Sequence, residues 1–124
     1  MDDKSKEQII DFFPYPIAIF TQQYTLVMVN KAFAAEAKLR FMNFEKGTIR
    51  ILQYKIKDTQ LAVAVVKVFG GDTFFLEGLK NPFSMFSGTT RKSAPQPDYF
   101  NKAVIFPVPS DNAKITHGVI VFMP

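Results

Sequence analysis

The sequence predicts an α/β (α+β) fold, one five-stranded antiparallel sheet with helices packed on one face. Three observations predict it. Near the start, two short apolar runs, residues 17–21 and 25–29, flank a brief polar connection. Near the end, two longer runs, residues 99–108 and 115–123, flank a polar turn. Between these pairs lies a valine-rich segment, residues 55–69, that carries an Asp near its start and stops at two glycines.

Residues 4–13 mix charges and finish in Ile9, Ile10, Phe12 and Phe13, the pattern of a short amphipathic helix. Pro14 and Pro16 stop it, because neither donates a backbone bond and each drives its predecessor to extended conformations. This helix, residues 1–13, either covers its own domain, residues 14–124, or packs on a partner's copy; exposed apolar residues fit both.

Ile17, Ala18, Ile19 and Phe20, then Leu26, Val27, Met28 and Val29, are branched and aromatic side chains suited to a pleated, half-buried surface. Gln22, Gln23 and Tyr24 between them leave room only for a hairpin, so the two runs pair antiparallel. Asn30 follows as a structural cap, its side-chain oxygen free to accept from the next turn, and residues 31–39 have the Ala, Glu and Lys content of a helix. Phe33 and Ala37, with Ala34, give that helix its apolar face.

Residues 40–54 show no sustained period and are interrupted by Gly47, which predicts short helical turns and loop with Phe41, Phe44, Ile49, Ile51 and Leu52 inward. In residues 55–69 the valines favour strand and the length favours helix. Asp58 decides for helix: it caps a start at Thr59, while Gly70 and Gly71 supply a left-handed stop. Leu61, Val65 and Val68 then form a buried stripe, with Ala62, Ala64 and Phe69 beside it and Gln60 and Lys67 toward water.

Residues 73–79 read as a strand and residues 80–97 as a long excursion rich in Pro, Ser, Gly and Thr. Phe83, Met85 and Phe86 are odd for a solvated loop, so the excursion is expected to fold back on the domain. The two closing strands follow, joined by residues 109–114.

The hairpin, capping Asn30 and amphipathic helix together resemble the opening of a PAS domain, where an Asn ends the second strand and begins the first helix. The end is similar too: Pro107-Val108, a polar turn with Asp111 and Asn112, then Gly118 before Val119-Ile120-Val121. Gly47 falls close to a family glycine, whereas the earlier family glycine after the first helix has no counterpart. The resemblance spans residues 12–123, and the order of elements carries it. It implies that residues 55–69 are the long helix crossing the sheet.

Composition narrows the functions. At 124 residues the chain is one domain with a real core, and its fourteen Phe and no Trp give that core large side chains with few polar handles. The net charge of +4 comes from fifteen scattered basic residues, of which only Arg91 and Lys92 adjoin, unlike the clustered stripe of a nucleic-acid groove. The chain has no Cys, which excludes disulfides, thiolate nucleophiles and Cys-ligated metals. The opening Met1-Asp2-Asp3-Lys4 is not a signal peptide and no run reaches the roughly 20 apolar residues of a membrane span, so a cytoplasmic domain is expected.

Chemistry-bearing patterns are sparse. Gly70-Gly71-Asp72 is followed by Thr73 and Phe74, not the acidic residue and Phe of a diguanylate cyclase signature, and a helix stop explains it. No Gly-rich phosphate loop is present, and Ser5, Ser84, Ser87, Ser93 and Ser110 lack a hydrolase elbow. Asp72, Glu77 and Asp98 are read as surface carboxylates rather than a metal site. His117 is the only imidazole; the resemblance places a heme-ligating His on the crossing helix, which has none, and the absence of Cys removes covalent flavin and thioester-chromophore photochemistry. Metal ligands and catalytic residues are thus predicted to be none, and the cofactor stays unknown, with heme and covalent flavin disfavoured.

What remains is the interior. Phe33, Ile51, Tyr54, Leu61, Val65, Phe74, Leu76 and Phe106 are the candidates for the space between sheet and helices, with Tyr54, Arg50 or Asn101 as polar contacts. That space is either filled by Phe side chains or open to a small apolar or aromatic ligand. The resemblance implies a sensory module, not an enzyme, that binds a small molecule or partner and relays the change to an output domain outside this chain, such as a histidine kinase, a diguanylate cyclase or a transcription regulator. The chain is then expected to be the N-terminal sensor of a longer protein. The alternatives are a ligand-free homodimerisation module, using the N-terminal helix and the outer sheet face, and a small pocket enzyme, disfavoured because no acid–base pair can be named.

Overall fold

The computed structural model describes residues 3–40, 49–88 and 99–124. Its elements are α1 (Asp3–Phe12), β1 (Ile17–Thr21), β2 (Leu26–Val29), α2 (Lys31–Arg40), α3 (Thr59–Lys67), β3 (Phe74–Leu76), β4 (Lys102–Pro109) and β5 (Ile115–Met123). Short 3₁₀ turns occupy Gln53–Lys55, Val68–Gly70 and Pro82–Met85.

The five strands make one sheet in the order β2-β1-β5-β4-β3, antiparallel at every pairing. The N-terminal hairpin therefore lies against the C-terminal one, through Ile17 to Thr21 of β1 opposite Val121 to His117 of β5. Because side chains alternate along a strand, Ala18, Phe20, Ala103, Ile105, Ile120 and Phe122 share the face that packs on α2 and α3. Ile17, Ile19, Val104, Phe106, Val119 and Val121 share the other.

One close approach needs a glycine. Gly118 pairs with Phe20, whose ring lies over it so tightly that a Cβ there would stand 2.6 Å from Phe20 Cζ. Pro107, opposite Gly118, is tolerated in β4 because β3 pairs only with Ala103 to Ile105, leaving β4 an edge strand at that point.

The helices start where the sequence marks them. Asp58 Oδ1 accepts the Leu61 amide at 3.1 Å, so α3 begins at Thr59. Leu61, Val65 and Val68 are buried as one stripe, while Val63 and Val66 face outward, which is why their strand propensity does not decide the segment. The helix is shorter than residues 55–69: it ends at Lys67, and Gly71 at φ 103° closes the 3₁₀ turn that follows. The third strand is likewise shorter than residues 73–79, because Gly78 turns the chain at φ 66°. β4 starts at Lys102 rather than at Tyr99. In the excursion, Phe83, Met85 and Phe86 are buried as expected, and Ile51 bridges to Phe86. Phe41, Phe44, Gly47, Arg91, Lys92, Ser93 and Asp98 lie outside the described residues.

Candidate functional site: an aromatic interior and a polar junction

Phe33 enters the interior from α2, Leu61 and Val65 from α3, Leu76 from β3, and Ile51 from the segment that bridges to Phe86; all five are buried in one cluster, against which Phe74 packs half-buried. Two candidates are elsewhere. Tyr54 sits on a 3₁₀ turn with 82% of its surface exposed, because the turn after Leu52 directs it to solvent. Phe106 pairs with Val119 on the outer face, one residue out of phase with buried Ile105. Arg50 is also turned away: its guanidinium donates to the Gln23 carbonyl at 3.2 Å in the β1–β2 turn.

The centre of the interior is occupied by rings. Phe83 and Phe122 lie 4.5 Å apart between centroids, Phe33 and Phe86 5.2 Å, and Phe33 and Phe83 5.8 Å, within the range in which aromatic pairs attract. A second group, Phe20, Tyr24 and Phe69, abuts the same core. One polar atom is left over: Oδ1 of Asn101, just ahead of β4, is buried and meets no hydrogen-bond donor among the described residues. Buried acceptors are ordinarily paired.

The second feature is a polar junction built on Asn30, which is 1% exposed. Its Oδ1 accepts from the Phe33 amide in the first turn of α2 and from the Ile17 amide at the start of β1, both at 2.9 Å. Its Nδ2 faces three carbonyls: Tyr15 at 2.8 Å, Ile10 at 3.1 Å and Phe13 at 3.4 Å. Two N–H groups on one side and three C=O groups on the other fix the orientation of the carboxamide. One side chain thus caps α2, pins β1 and holds the C-terminal end of α1. The sequence signals the cap. The donor half follows from Pro14 and Pro16, which leave the carbonyls around them short of backbone partners.

The remaining candidates have local roles. His117 is half-buried on β5 with Nδ1 2.9 Å from Thr116 Oγ1. Ser84 Oγ donates to the Asn81 carbonyl, and Ser87 Oγ accepts the Arg50 amide. Asp72 and Glu77 are exposed. Among the described residues no helix is long and apolar enough to cross a membrane.

No family model and no curated protein matches the chain. Solved structures do. The PAS domain of BvgS from Bordetella pertussis superposes with a TM-score of 0.58 at 12% identity, covering 97% of this chain and 83% of that one. A sensory box sensor histidine kinase from Vibrio cholerae gives 0.55 at 14% identity, covering 97% and 90%. This chain has the PAS fold. A third PAS domain, of an HTR-like protein from Haloarcula marismortui, gives 0.55 at 12% identity over 96% and 88%. With the PAS fold in hand, the strand order and the helices beside the sheet fall into one scheme.

Proposed function

We propose that this chain is a sensory PAS module, residues 14–124 with the helix of residues 1–13 as its appendage, acting in the cytoplasm as a regulator rather than a catalyst. It works by protein contact. A second copy seats on α1 and the outer sheet face, and the resulting shift in packing passes to an output domain outside this chain. The observation that carries this reading is the outer face itself: Ile19, Val104, Phe106 and Val121 stand half-buried there in a continuous apolar field. Phe75 at the sheet edge, paired with Val104, extends the apolar surface, 77% exposed, and α1 presents Phe12 of its own at 73%. The ring-filled interior supports the same reading, because five Phe side chains are fully buried in the core.

The test is oligomeric state. Light scattering across a concentration series is expected to show a dimer that Phe106→Glu converts to a folded monomer; a wild-type monomer at high concentration overturns the proposal. The orphan Asn101 oxygen favours a second reading, a small donor-bearing ligand held between sheet and helices. Native mass spectrometry of freshly purified protein separates the two. A retained small-molecule mass lost in Asn101→Leu supports the ligand, and a bare dimer supports contact.

A further inference from the structure

Asn30 Nδ2 carries two hydrogens and has three carbonyls within reach, and the distances rank them. Tyr15 takes one hydrogen at 2.8 Å. The second is contested between Ile10, inside α1, at 3.1 Å and Phe13, just beyond it, at 3.4 Å. The Ile10 carbonyl has a further suitor, the Phe13 amide at 3.3 Å, so neither group depends on the other alone.

From this we infer that Asn30 is a two-position latch for α1. Docked, it bonds Ile10; released, it passes the same hydrogen to Phe13 and loses no bond, so α1 leaves while β1 and α2 stay capped. The inference deepens the proposed relay through α1 and rests on that reading for its biological use.

The rest of α1 is built for release. Lys6, Glu7, Gln8, Ile9 and Phe12 are exposed even in the docked helix, so among the apolar side chains of α1 itself departure uncovers chiefly Ile10. Glu7 and Asp11, four residues apart, are a like-charge pair on the side that meets Met28 and Val29 across a shallow cleft. A ten-residue helix is below the length that holds its shape alone in water, so undocking and fraying coincide. One tie at the surface is Lys31 Nζ over the Phe12 ring at 4.5 Å, a solvated contact of small weight.

Residue-resolved amide exchange by NMR tests the latch at concentrations where the protein is monomeric, so that a failure to dimerise does not enter. The amides of Ile17 and Phe33 report the bonds to Asn30 Oδ1 directly. In the wild type the amides of residues 7–12 are expected to exchange at least ~100-fold faster than those two. Exchange of α1, Ile17 and Phe33 at one common rate overturns the inference. Ile10→Asp, which disfavours docking but leaves the Asn30 side chain and the residue-10 carbonyl in place, is expected to free α1 while Ile17 and Phe33 keep wild-type protection. Loss of protection at Ile17 and Phe33 in that variant shows that Asn30 cannot re-pair, and overturns it too. Should Ile10→Asp fail to fold, the wild-type exchange ranking still decides.

Discussion

The aromatic interior and the Asn30 junction hold the chain by opposite means. Around Phe83 the attraction is spread over many ring contacts, none of which fixes a direction, and the result is bulk stability. Around Asn30 two amides and three carbonyls converge on one carboxamide, the carbonyls sharing its two hydrogens, and each contact specifies which segment meets which. The difference teaches that stability and connectivity are separable in this fold. Removing a ring weakens everything equally, whereas altering the carboxamide changes which elements move together.

The largest expected effect tests the first half. Phe83→Ala removes a ring that touches Phe33, Phe86, Phe100 and Phe122, and should lower stability in urea by about 3–5 kcal/mol. It should leave the ranking of amide protection between α1 and β1 unchanged. A change in that ranking breaks the separation.

Asn30→Ala tests the second half. It strips the acceptor from two buried amides and should cost about 2–3 kcal/mol, less than the ring. Its signature is selective loss of protection at Ile17 and Phe33, read by the same exchange experiment. Asp58→Ala is the control, a cap that serves one helix only. Loss of its bond to the Leu61 amide should cost about 1 kcal/mol and loosen the first turn of α3 alone. If it loosened β1 as well, capping in general and not the Asn30 junction would be the connecting device.

The sequence carried the hairpins and the start of α3, because each rests on local chemistry: the alternating apolar runs, the short turn at Gln22 and Gln23, the Asp58 carboxylate; the partnership of the two hairpins in one sheet came from the family resemblance. It was less informative where tertiary position decides. Tyr54 and Phe106 are apolar enough for a core, but one follows a turn that points it outward and the other falls on the wrong phase of its strand. Phe83, Phe86 and Phe122 were visible as apolar residues, yet nothing local shows that two distant segments deliver their rings to one place. Asn30 was legible as a cap and illegible as a hub, since its donors answer to carbonyls as far as twenty residues upstream.

The pairing of Ile17 with Val121 has a mechanical consequence. Since β1 and β5 run in opposite senses, the chain enters the first and leaves the second at the same end of the sheet, about one strand spacing apart. Tension drawn between segments attached on either side would open this ladder like a zipper, one rung at a time, instead of sliding both strands at once. A fold threaded this way yields rung by rung at its seam, and each rung that parts lays bare inner-face residues of the core such as Ala18 and Ile120.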